Sequence, residues 1–282
     1  MLVGLYDIEL GFFLVIGVYS RSLLWSFFVM TPNSYSSLCD DFYLDMYINT
    51  ELELPTERDT ILSFFERIHK QYPSMGRFYR RESNEYYLEE DRNPGQYRWI
   101  SLEIDRIGSG MVNPSDFDSA YNQDRLVLEL VPYMLGVNHL DIDSLDVTFA
   151  MDFDYAGSHD EVIAEALLSQ SAFSGLLDLP GARPIGFSPS VIIALSEDDR
   201  TQGRISIDSK TSVYEPKKKG RFTEEAISLS FTVRRYPATD EKFDALKSFA
   251  LQCRLAEELM AEQIVPNFVQ PLTEVIAQKR LT

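Results

Sequence analysis

Carboxylates are the main chemical resource of this chain. Asp141, Asp143, Asp146, Asp152 and Asp154 crowd one stretch of alternating apolar residues and its approach. Successive side chains of a strand point to opposite faces, so Asp146, Asp152 and Asp154 share one face. A second stretch of the same pattern, 42–54, places Asp45 and Glu51 together. If the two strands were neighbours, Asp45, Asp146, Asp152 and Asp154 could converge on Mg²⁺ or Ca²⁺, which favour oxygen ligands. That arrangement would suit a metal-assisted hydrolase or nuclease. The solvent face of a one-sided antiparallel sheet gives the same pattern. No Asp/Asn/Gly loop of the EF-hand kind accompanies the aspartates. The sequence therefore favours the plain surface reading, with no cofactor expected.

Other catalytic patterns are missing from the sequence. His69, His139 and His159 are the three histidines, and none sits in an HxH or HExxH arrangement. His159 lies beside Asp160 and Glu161, but Ser158 and Glu161 also have capping-box spacing, which points to a helix start. The run Gly186 to Ser190 (GFSPS) lacks the spacing of a nucleophile elbow. There is no GxxxxGK[ST] loop, and Gly108 and Gly110 are only a fragment of a dinucleotide-binding pattern.

Two further groups could bind something. Arginines and aromatics interleave over 77–107, where Tyr97 and Trp99 are ligand or partner candidates. An RNA-binding sheet presents such rings. Here Arg77, Arg80, Arg81, Arg92, Arg98 and Arg106 are matched by Glu82, Glu85, Glu89, Glu90, Asp91, Glu103 and Asp105, as expected of cross-strand pairs in a structural sheet. The other group is Lys217, Lys218, Lys219 and Arg221, a basic loop in an acidic chain. It could hold a phosphate or an acidic partner, although such loops are commonly just solvated.

The charge balance narrows the partners. Asp and Glu number 44 against 26 Lys and Arg, a formal net charge of −18. Such a surface repels phosphate backbones, so nucleic acid is disfavoured and a basic protein is the better match. Only Cys39 and Cys253 are present, too few for a disulfide framework or a zinc site, and a cytoplasmic location is the expectation. Residues 10–30 are largely apolar but lack a basic flank, and Arg21 lies near the middle. The segment reads first as an extension ahead of a true start at Met30, and second as an anchor. A membrane partner is expected only in the second case.

These residues need a scaffold. Alternation over 42–54 gives way to helical spacing over 57–71 with Thr56 as the expected N-cap, and the same switch recurs from 145–155 to 159–170. Two aromatic strands, 77–89 and 96–107, flank a Pro-Gly turn, and a helix follows over 116–131. Further strands are expected near 185–195, 203–213 and 225–235, then a long helix ending near Ile264 ahead of Pro266 and Pro271. The expected class is α+β: two tandem ferredoxin-like halves of βαββαβ type, with helices on one face of antiparallel sheets. The organisation would be 1–30 as an N-terminal extension, 31–144 as the first half and 145–282 as the second. The functional expectation is a non-catalytic binding protein, with a basic protein as the suggested partner. The alternatives are the metal-assisted hydrolase above and a sensor holding a small molecule between the halves.

Overall fold

The computed structural model describes residues 33–81, 85–169, 171–209, 226–238 and 242–281. The basic loop at 217–221 and the apolar segment at 10–30 lie outside them. Strand β1 (Asp41–Thr50) leads into helix α1 (Arg58–Gln71). Strands β2 (Arg77–Arg80), β3 (Tyr86–Glu89), β4 (Tyr97–Leu102) and β5 (Arg106–Val112) then meander to helix α2 (Phe117–Met134). The second half begins with β6 (Ile142–Phe153), α3 (His159–Leu168) and a short α4 (Ser174–Leu177). Strands β7 (Ser190–Ala194), β8 (Thr201–Ser209) and β9 (Ile227–Arg235) follow, then α5 (Ala245–Leu259). A π-helical segment (Met260–Val269) joins α5 to α6 (Gln270–Leu281).

All nine strands form one antiparallel sheet in the order β2-β3-β4-β5-β1-β6-β9-β8-β7. The protein is thus mixed α/β. Each half is a long strand, a helix, a meander returning to pair with that strand, and a closing helix. Four strands stand between α1 and α2 where the sequence pattern suggested two. The expected strands 77–89 and 96–107 each contain a reversal with no Gly or Pro to mark it. The second is closed by the Glu103 amide donating to the Arg106 carbonyl at 2.8 Å.

Side-chain parity decides which face is covered. Phe42, Leu44, Met46 and Ile48 of β1 are buried with Leu145, Val147, Phe149 and Met151 of β6 and Ile227, Leu229, Phe231 and Val233 of β9. This apolar face packs against α2 and α5, and α1 adds Ile61, Phe64, Phe65 and Ile68 to the same core. The strand–helix units at both expected positions therefore present the apolar faces read from the alternation. Leu52 is an exception: β1 ends at Thr50 and Leu52 is exposed, while Leu54 is buried.

A matching feature in both halves is a buried glutamine on the closing helix. Gln123 Nε2 of α2 donates to the carbonyls of Trp99 and Gly110 at 3.2 and 3.1 Å. Gln252 Nε2 of α5 donates to those of Leu145 and Val233 at 2.7 and 2.8 Å. Each ties its helix to two adjacent strands and satisfies polar groups that burial would otherwise penalise. The caps match as well, with Asp116 and Asp244 each accepting an amide at the helix start.

Two sequence expectations about helix ends are corrected. The helical run does not stop near Ile264, because the chain passes Pro266 in a π-helical register and continues to Leu281. A proline cannot donate the i→i−4 bond of an α-helix, and a wider turn accommodates that loss. Helix α1 begins at Arg58 after Glu57, without the side-chain cap expected from Thr56.

The sheet edges differ. β2 carries Arg77 and Arg80, charges that discourage edge pairing. Every residue of β7 is exposed, including Val191, Ile192 and Ile193. Among the described residues no helix is long and apolar enough to cross a membrane.

Candidate binding site on the open face of the sheet

The alternate residues of the strands face away from the helices, and in the first half they are aromatic and charged. A hollow of about 260 Å³ on this face is lined by Tyr43, Asp45 and Tyr47 of β1, Trp99 of β4 and Glu89 of β3, with Arg81, Tyr87, Arg92, Tyr97 and Glu103 around them. Strand register assembles it. Asp45 pairs with Gly110, Gly110 with Trp99, and Trp99 with Glu89, so all project to the same side.

Glycines make the packing possible. A Cβ on Gly110 would sit 2.1 Å from Asp45 Oδ1 and 2.8 Å from the Trp99 ring, and one on Gly108 would sit 2.8 Å from that ring. The indole therefore lies across β5 over two alternate glycines, and the Asp45 carboxylate tucks in beside it. Gly108 and Gly110 are not remnants of a phosphate loop. They are the clearance that this aromatic floor requires.

Asp45 is only 9% exposed, and its Oδ1 is buried with no hydrogen-bond partner. Burial pushes its pKa up to about 7, while a hydrogen bond from Trp99 pulls the other way. An unpaired buried carboxylate is costly, so an unsatisfied one beside a hollow calls for an explanation. The neighbouring carboxylates are accounted for. Glu89 accepts from Arg92 at 2.5 Å and lies 3.5 Å from Arg77. Glu103 accepts from Ser101 at 3.2 Å, and burial nevertheless raises its pKa.

The rings are already suited to cations. Arg81 stands over Tyr87 at 4.1 Å, Arg92 over Tyr97 at 5.3 Å and Arg106 over Tyr47 at 5.3 Å. Tyr47 and Trp99 pack against each other with centroids 5.9 Å apart. Burial is the largest cause of the raised pKa of Tyr43, Tyr47 and Tyr87, so these phenols stay protonated at neutral pH.

The aspartates that the alternation places on one face are separated in this sheet by their partners. Asp146 forms a bidentate pair with Arg234, at 2.7 and 2.6 Å, and also accepts from Asn49. Asp152 accepts from Tyr43 Oη at 3.1 Å and from Ser228 Oγ. The Asp154 amide donates to Asp40 at 2.7 Å, and Arg280 reaches the Asp154 carbonyl. Among the described residues no three His, Cys, Asp or Glu side chains form a group able to hold a metal. Tyr97 and Trp99 belong to the hollow, as does Asp45.

His159 lies in the first turn of α3. It is buried, its Nδ1 lies 3.2 Å from Ser209 Oγ, and its Nε2 lies 2.9 Å from the Tyr155 carbonyl. Ser158 Oγ accepts the Glu161 amide at 3.4 Å, which is the forward half of the expected capping box.

The second half of the open face has a different character. Thr148 bonds Thr232 at 2.8 Å, and Ser206 bonds Ser230 at 2.9 Å. These short hydroxyl pairs give a low, polar floor beside the aromatic hollow. On the helix side, directly beneath β5, lies a second buried carboxylate. Asp124 of α2 accepts from Ser109 at 2.6 Å, its Oδ2 has no partner, and burial raises its pKa well above the usual range.

No family model, curated protein or solved structure matches the chain.

Proposed function

We propose that this is a non-catalytic binding protein that presents the open face of its sheet to a basic protein partner. The observation that carries the reading is Asp45, a buried carboxylate with an unpartnered oxygen at the floor of an aromatic hollow. Among the described residues, helices cover one face of the sheet and leave this face to the aromatic and charged side chains. The net charge of −18 favours approach of a basic surface. We read the two α+β halves as tandem ferredoxin-like units that act together as one platform. A cytoplasmic setting accords with the two unpaired cysteines, Cys39 and Cys253.

The test is selection from a displayed library of random peptides against the full chain. Selected sequences should be rich in Lys and Arg, bind more weakly as salt rises, and lose affinity for Thr148→Arg, which places a cation on the open face beside Asp45. Selection of acidic peptides, or binding indifferent to Thr148→Arg, would refute the proposal.

A further inference from the structure

We propose that the hollow around Asp45 is a receptacle for one cationic head group on an alkyl stem, an arginine or lysine side chain or a free amine of the same chemistry. This rests on the reading of the open face as a binding surface and adds what that surface takes. The floor supplies one carboxylate whose buried oxygen lacks a donor. The walls supply Tyr43, Tyr47, Tyr97 and Trp99, all half-buried and of the kind whose faces attract cations, as Arg106 over Tyr47 and Arg92 over Tyr97 already illustrate. The volume of about 260 Å³ is that of a side chain and not of a large cofactor.

The lining charges point the same way. Asp45, Glu89 and Glu103 face Arg81 and Arg92. Arg92 is engaged by Glu89, and Arg81 lies on Tyr87 with its Nη1 3.2 Å from the phenol oxygen. Asp45 is left without a cation of its own. An anionic guest would meet the carboxylates of Asp45 and Glu103, and a neutral apolar one would leave Asp45 Oδ1 unsatisfied. A guest N–H removes that penalty, because charge-assisted bonds in a water-poor site are the strong ones. The Cβ–Cγ torsion of an aspartate is broad, so the carboxylate can turn an oxygen toward the guest while the other keeps the Trp99 indole.

The arrangement also has a built-in reporter. Trp25 and Trp99 are the only tryptophans. With Trp25 replaced by phenylalanine, emission changes come from the wall of the hollow.

The experiment titrates that chain at pH 8 with four probes: a blocked Gly-Arg-Gly tripeptide, the same peptide with citrulline for arginine, agmatine and cadaverine. The expected result is a saturable change in Trp99 emission with the arginine peptide or an amine, at least tenfold weaker with citrulline and lost in Asp45→Asn. A response to the peptide identifies a polypeptide source, whereas a response to agmatine or cadaverine alone identifies free amines. Tyr47→Leu, with its fold checked by circular dichroism, should weaken binding several-fold through the lost ring. Equal binding of citrulline, retention in Asp45→Asn, or silence of all four probes would overturn the inference. Library-selected peptides that still bind Asp45→Asn with full affinity would leave the sheet-face proposal standing and remove this one alone.

Discussion

Replacing Asp45 with asparagine should make the protein more stable, and by an amount set by pH. An ordinary aspartate titrates near 3.8, whereas burial holds the folded Asp45 near 7. Between those values the folded protein keeps a proton that the unfolded chain has released. Stability contributed by this group is therefore fully present below about pH 4 and is lost as pH rises through 7. Each unit of difference corresponds to about 1.4 kcal/mol, so the ionised carboxylate costs the folded state on the order of 4 kcal/mol at pH 8. Asparagine carries no charge and can keep the Trp99 hydrogen bond through its carbonyl oxygen. Its amide then occupies the unpartnered position, so one unsatisfied polar group replaces another and the main change is the missing charge. The assay is urea unfolding of both proteins from pH 5 to pH 8 at fixed ionic strength, with identical slopes required. The stability difference should widen by about 2 kcal/mol between pH 5 and pH 7 and then level off. Glu103 and Asp124 also have raised pKa values, but both proteins contain them, so the comparison removes most of their effect. A difference that stays flat from pH 5 to pH 8, or an asparagine variant that is less stable at pH 8, would refute the argument that Asp45 is a buried, unpaired acid. A gain in stability together with loss of cation binding is the trade expected of a functional group.

The remaining predictions concern the frame around the site. Asp124→Asn should also stabilise the protein at neutral pH, and the gain of the double variant with Asp45→Asn should be smaller than the sum of the two single gains, since each carboxylate raises the other's cost; urea titrations of all four proteins measure it. Gly110→Ala should lower the melting temperature and shift Trp99 emission, because the new methyl would sit 2.1 Å from Asp45 Oδ1; unchanged emission would contradict the packing described. Gln123→Leu and Gln252→Leu should each cost about 1–3 kcal/mol in chemical unfolding, and similar losses would show that the two halves use the same tether. Ile192→Lys on the bare edge strand should change stability by less than about 0.5 kcal/mol while raising the concentration at which light scattering detects association.

How far the sequence alone reveals this architecture depends on the range of the interaction. The apolar face of the sheet is readable because parity is local: Leu44, Met46 and Ile48 point one way whatever lies beyond them, and Val147, Phe149 and Met151 repeat the pattern. The cap at Ser158 is readable for the same reason. The hollow is not, because it depends on the register of β1 against β5, which is remote from it in the sequence. Asp45 looks like one more surface acid, and only its alignment with Gly110 and Trp99 puts it under an indole with an oxygen unpaired. Gly108 and Gly110 hold the available clue. Alternate glycines in an otherwise apolar strand leave open a strip on one face, and a large ring elsewhere in the sequence must fill it. Trp99, two residues after Tyr97 in the neighbouring strand, has the parity to do so. The aspartates of β6 mislead for a complementary reason. Like parity puts Asp146 and Asp152 on one face, but their partners come from β9 and β1, and those neighbours decide whether a carboxylate is neutralised, hydrogen-bonded or left waiting for a ligand. Asp146 has Arg234, and Asp152 has Tyr43 and Ser228. Asp45 faces Thr148 across the central strand pair, where no cation is supplied, and there the fold leaves a buried charge for something else to satisfy.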